Sequence, residues 1–206
     1  MVRIADFNKS VSLPAGLEVS ALKRAVEYIE RELADLIDIY FEQANVFSAL
    51  VGIFGTKALD AVSNFEKHRH TYTAQQRFPD LCRRNSKKPL AATDCLESKG
   101  SKRAYSIQSH YNHSGWYVIW RYLVDPTESV EKDHPVIIWR VDMVFLEKED
   151  WKYEASKAGD AGGGRTHTFG VKEAAKRLAG TAVYKRSGIA LVGGKPVLRS
   201  EDTNNL

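Results

Sequence analysis

The sequence predicts a mixed α/β (α+β) fold, with N-terminal helices followed by a mixed β-sheet flanked by helices, and three observations carry that expectation. Apolar residues recur at helical spacing through residues 19–43 and again through 44–68. Beyond about residue 70 the period shortens, and runs rich in aromatic and β-branched residues occupy 116–124 and 136–146. Helical and strand patterns are therefore segregated along the chain, as in an α+β arrangement with a late helix added. A chain of 206 residues, 43% hydrophobic and 27% charged, is long enough to bury one sizeable core. We read 1–206 as a single domain: a helical part at 1–70, a sheet core at 71–190 and a tail at 191–206.

The elements follow in order. Residues 1–16 look irregular and end at Pro14-Ala15-Gly16. From 19 to 43 a stripe of Leu22, Val26, Ile29, Leu33, Leu36, Ile37 and Tyr40 marks one amphipathic helix with an acidic outer face. Residues 44–68 read as a second helix, locally weakened by Gly52 and Gly55. Short strands are expected at 78–82 and 90–99, with a basic loop at 83–89 between them. Residues 106–114 read as a short helix or loop, 116–124 and 136–146 as strong strands, with Asp125-Pro126 ending the first. The aromatic run Trp116–Tyr122 suits a sheet core better than a base-stacking surface. A glycine-rich loop at 159–164 precedes a helix at 171–179, a last strand at 181–185 and a frayed tail at 200–206.

Charge and composition narrow the function. No unbroken run of about 18 apolar residues is present, so no membrane span is expected. The first residues lack a secretory pattern, and two cysteines, Cys82 and Cys95, make no disulfide framework; a cytoplasmic protein is the expectation. The net charge is only +4, but residues 67–103 carry ten Lys or Arg against Asp80, Asp94 and Glu97. A basic segment with a few embedded acids suits a polyanion held by cations and attacked at carboxylates.

Two stretches give that attack a chemistry: Phe78-Pro79-Asp80-Leu81 and Cys95-Leu96-Glu97-Ser98-Lys99. On a strand Glu97 and Lys99 share a face, and a hairpin would bring Asp80 to them. Two acids beside an ammonium can hold a divalent cation, activate water and stabilise a phosphorane-like transition state. This order of helix, strand with Pro-Asp, strand with Glu-x-Lys, helix, then strand resembles the PD-(D/E)XK nuclease superfamily, home of many type II restriction endonucleases. The resemblance covers roughly residues 60–125 and implies a restriction-endonuclease-like core. It implies that Asp80 and Glu97 bind Mg²⁺ and that Lys99 orients or deprotonates the attacking water. A further acid from the preceding helix is common in the family; Glu66 is the first candidate and Asp60 the next.

Around this set, Arg83, Arg84, Lys87, Lys88, Lys102 and Arg103 are expected to hold the DNA backbone. Gln108, His110, Tyr111 and His113 are expected near the scissile phosphate or bases, and Arg165 of the glycine-rich loop could read base edges. An alternative acid set is Asp142 with Asp150 and Lys152. Another is a transition-metal site from His68, His70, His110 and His113. The expected activity is a Mg²⁺-dependent endonuclease acting on double-stranded DNA as a type II restriction enzyme, in the form of a homodimer whose N-terminal helices meet. The competing readings are a DNA-binding protein without chemistry and a repair or recombination nuclease of the same superfamily.

Overall fold

The computed structural model describes residues 2–67, 77–155 and 167–198. Helix α1 (Val19–Ala34) forms on the expected stripe, with Leu22, Ala25, Val26, Ile29 and Leu33 fully buried along one face. The single helix expected over 19–43 breaks at Asp35 and Leu36, and a short α2 (Ile37–Glu42) follows with Ile37, Ile39 and Tyr40 partly buried and Phe41 exposed. Helix α3 (Ala44–Val62) stops before the expected 68. There Ser63 donates its hydroxyl to the Leu59 carbonyl and accepts the Phe65 N–H, a local bonding pattern that competes with continued helix. By length and apolar composition α3 could cross a bilayer, although polar residues such as Asn45, Lys57 and Asp60 interrupt its apolar run. In this fold it is a core helix, with Phe47, Val51 and Leu59 buried against α1 and the sheet.

Eleven strands follow among the described residues: β1 (Phe65–Lys67), β2 (Leu81–Arg83), β3 (Cys95–Ser101), β4 (Gln108–Ser109), β5 (Gly115–Val124), β6 (Val136–Leu146), β7 (Trp151–Ala155), β8 (His167–Val171), β9 (Ala182–Lys185), β10 (Ile189–Val192) and β11 (Lys195–Leu198). The main sheet has the order β1-β2-β3-β5-β6-β9. Only β3 and β5 are parallel; the other neighbours are antiparallel, so the sheet is mixed as expected. Helices α1 and α3 cover one face, over Leu96, Val118, Trp120 and Met143. A small sheet, β4-β8-β7, covers the other over Tyr117, Ile119, Val144 and Leu146. With both faces covered, β5 and β6 are buried along nearly their whole length, and the aromatic run is core.

Three expectations give way. Residues 106–114 take the loop alternative, with the two-residue β4 inside it, and the helical alternative falls. Ile107 is buried under the small sheet and Ser109 Oγ takes the Tyr111 N–H, which suits a Ser/Asn/His-rich stretch of low helix propensity. Only Ala174–Arg177 (α4) of the expected 171–179 helix is helical, because Val171 is still paired with Trp151 in β8. The expected tail includes the hairpin β10–β11, whose Ile189 and Leu191 pack on Ile137 and Trp139.

The feature that positions the site is a fork. Strands β2 and β3 pair at only two positions, Leu81↔Leu96 and Cys82↔Cys95. Past Leu96, β3 keeps β5 on one side while its other edge is free of any described strand. Helix α3 closes on that edge through Ser98, whose hydroxyl donates to the Gly52 carbonyl at 2.8 Å and accepts the Trp120 indole N–H at 2.9 Å. A Cβ on Gly55 would collide with Trp120 Nε1, and one on Gly100 with the Ser48 carbonyl. The helical glycines that weaken the sequence signal are what allow the close approach.

Candidate active site

Strand alternation sends Leu96, Ser98 and Gly100 toward α3 and leaves Glu97 and Lys99 on the opposite face. Glu97 Oε1 accepts from Lys99 Nζ at 2.7 Å, and its Oε2 accepts the Asp80 backbone N–H at 3.1 Å. Asp80 returns the contact: its Oδ2 accepts the Ser98 N–H at 3.0 Å, on the free edge where a strand neighbour would otherwise sit. Thus the first residue beyond the fork and the two alternate residues of β3 meet. All three line a cavity of about 390 Å³. Ser48, Gly52, Ile53 and Thr56 of α3 form one wall; Gln108, Ser109 and His110 around β4, with Thr168 of β8, form another; Arg77 also lines it.

The electrostatics follow from burial. Desolvation first, and the neighbouring Glu97 carboxylate second, push Asp80 up to about 6, against the pull of Lys99 and of the Ser98 N–H. Burial, with Glu97 and Asp80 adding to it, holds the Tyr117 phenol above its usual range, so it stays neutral and donates to the His113 carbonyl at 2.9 Å. Two crowded carboxylates with one ammonium are short of positive charge, a condition that a cation relieves. Among the described residues no group of three or more His, Cys, Asp or Glu is arranged around a metal position. A pair of carboxylates nevertheless fits Mg²⁺, which keeps several waters and is bound by one or two carboxylates together with substrate phosphate.

Other expected residues lie elsewhere. Glu66 is on β1 opposite Cys82, pairs with Arg84 at 3.2 Å and lines a second cavity of about 400 Å³ with Asp60, Lys67, Arg83 and Lys88. It is not brought to the Asp80–Glu97 pair, because α3 ends at Val62 and Glu66 belongs to a strand, not to the preceding helix on which it was expected. Arg84 also binds Asp60 at 3.0 Å, and Arg83 binds Asp94 at 2.6 Å, so both guanidinium groups already have acid partners. Lys87 is exposed, and Lys88 is exposed at the second cavity. Lys102 and Arg103 are exposed beside a third hollow that they share with Gln108.

Gln108 and His110 are exposed at the site itself, whereas His113 stacks on Phe78 with centroids 4.7 Å apart and is lowered in pKa by burial. Arg165 lies outside the described residues, as do His68 and His70 of the alternative histidine site. The alternative acid set is dispersed into structural roles. Asp142 is fully buried between Arg121 at 2.8 Å and Arg140 at 2.6 Å. Asp150 caps the Glu147 N–H and takes both sides of Arg177, while Lys152 pairs with Glu154.

Sequence reasoning missed the α3 wall and Thr168, which carry no motif. Arg77 counted only as part of the basic segment, although its place just before Phe78-Pro79-Asp80 was a usable signal. In comparisons with protein families, curated proteins and solved structures, the chain has no significant match.

Proposed function

We propose that the protein is a Mg²⁺-dependent endonuclease of the PD-(D/E)XK kind, hydrolysing phosphodiester bonds of double-stranded DNA in the manner of a type II restriction enzyme. The observation that carries this reading is the meeting of Asp80, Glu97 and Lys99 at the free edge of β3, inside one cavity. A strand order in which β1–β3 run antiparallel and β5 returns parallel to β3 is compatible with a restriction-endonuclease-like core. The connection between β3 and β5 departs from the family pattern, since it carries β4 where the resemblance calls for a helix.

Asp80 and Glu97 would hold the ion, which when bound supplies Lewis-acid neutralisation of the phosphate and a more acidic water. Lys99, tethered to Glu97, orients the attacking water and offsets charge on the phosphate. Gln108, His110 and Arg77 on the cavity rim supply hydrogen bonds and positive charge to the DNA backbone. One centre cuts one strand, so cleavage of both calls for a homodimer. Phe41 and Val46, apolar and exposed on α2 and α3, are the surface we assign to it.

The test is cleavage of supercoiled plasmid with Mg²⁺, with and without EDTA, by the wild type and by Glu97→Ala and Lys99→Ala. We expect Mg²⁺-dependent cutting that both variants lose while DNA binding in Ca²⁺ is retained. Discrete fragments would mark restriction, and random degradation a repair nuclease. Retained cutting in both variants, or none in the wild type, overturns the assignment.

A further inference from the structure

Cys82 and Cys95 are the only cysteines of the chain, and both are free and buried. They stand directly opposite each other on antiparallel β2 and β3. The type of pair follows from Asp80. Because the Ser98 N–H points across the fork to Asp80 Oδ2, the N–H and C=O of Leu96, two residues earlier, also point toward β2. Leu81↔Leu96 is then the hydrogen-bonded pair, and Cys82↔Cys95 the non-hydrogen-bonded pair, the kind with Cα atoms about 4.5 Å apart and the closer side chains. That spacing lies at the short end of the range of about 4.4–6.8 Å that a disulfide spans. Cys82 also lines the second cavity, which gives a small molecule a route to its sulfur.

We infer that Cys82 and Cys95 form a dithiol–disulfide site, oxidised by hydrogen peroxide. Burial pushes both thiols up, so the step runs through the small thiolate fraction of Cys82, the cysteine that lines the cavity: its sulfur attacks a peroxide oxygen, the O–O bond breaks, and the departing hydroxide takes up the thiol proton, giving a sulfenic acid and water. The second sulfur displaces the sulfenic hydroxyl, giving the S–S bond and a second water. Two S–H bonds and one O–O bond are exchanged for one S–S and two O–H bonds, and the two electrons leave the sulfurs for the peroxide. A disulfide needs Cβ atoms about 3.8 Å apart, whereas unlinked opposite residues sit about 4.5–5.5 Å apart. The crosslink therefore draws β2 and β3 together beside the fork, two residues from Asp80 on one strand and from Glu97 on the other. As regulation of the cleavage centre this rests on the hydrolase reading; as a modification site it does not.

The experiment treats the full-length wild-type chain with hydrogen peroxide, alkylates it under denaturing conditions and weighs it intact and after digestion. We expect both thiols to disappear together, a mass lower by two hydrogens, a linked peptide joining 82 to 95, and reversal by dithiothreitol. A gain of oxygen atoms alone, one thiol left free, or a crosslink only between chains overturns the site. In parallel, Mg²⁺-dependent plasmid cleavage should fall on the order of tenfold or more on oxidation and recover on reduction, a size set by the cost of sub-ångström to ångström misplacement. Cys82→Ala should cut normally and ignore peroxide. Unchanged cleavage by the crosslinked chain overturns the regulatory link. If neither redox form cuts, the hydrolase reading fails while the masses still decide the crosslink.

Discussion

Two groups of acids in the same sheet have opposite surroundings. Asp142, at the centre of β6, is fully buried and answered by two arginines, Arg121 and Arg140, with Thr181 Oγ1 at 3.3 Å besides. Asp80 and Glu97, at the fork of β2 and β3, share a single ammonium and open onto a cavity. Both arrangements contain acids and cations two residues apart in sequence, at Arg140/Asp142 and Glu97/Lys99. The difference is stoichiometry and access: surplus positive charge in a sealed core locks a fold, whereas surplus negative charge in a cavity leaves room for a cation and a phosphate.

Removing the Asp142 carboxylate should be the most damaging change. Asp142→Ala would leave two buried guanidinium groups without an anion, and denaturant unfolding should show a loss of about 3–5 kcal/mol. A loss below about 1 kcal/mol would erase the contrast. Glu97→Ala should do the reverse, lowering plasmid cleavage on the order of 10²–10⁴-fold while the unfolding free energy moves by less than about 1 kcal/mol.

Asp80→Asn sharpens the comparison further, because neutralising an acid that burial already disfavours should stabilise the metal-free chain. The sign follows from linkage: with a folded pKa near 6 against 3.8 unfolded, the native state binds the proton more tightly between those values. The contribution of Asp80 to stability therefore rises as pH falls from about 7 to about 4, and at pH 7 its ionised form costs about 1–3 kcal/mol. Thermal unfolding across that window should show the slope in the wild type and its loss in Asp80→Asn. Cleavage should decline below pH about 6, as protons compete for the carboxylate that the cation needs. The smallest effect belongs to Glu66→Gln: paired with Arg84 and facing the other cavity, it should change cleavage by less than about twofold.

The contrast also explains what could be read from residues alone. Strands β5 and β6 were legible because β-branched and aromatic density is a local property, and α1 because Leu22, Val26, Ile29 and Leu33 repeat at helical spacing. The convergence of Asp80 with Glu97 was legible because Pro-Asp and Glu-x-Lys lie close enough for adjacent strands. Glu66 was misplaced because the end of α3 depends on the Ser63 hydroxyl, a bond that apolar periodicity does not register. Asp142 stayed open as an alternative to Asp80, since pairing with Arg121 on a neighbouring strand is a matter of register rather than of sequence neighbours. Strands β7 and β8 escaped notice because their pairing spans a stretch of glycines and polar residues without alternation.

The seam between α3 and β3 leaves no room for a side chain at Gly52. A methyl on Gly52 would come within 3.0 Å of the carbonyl of Ser98, the residue wedged between Glu97 and Lys99. Even the lightest side chain added there would press on the backbone that aims both, so the back of the helix behaves as a mechanical stop for the chemistry in front of it.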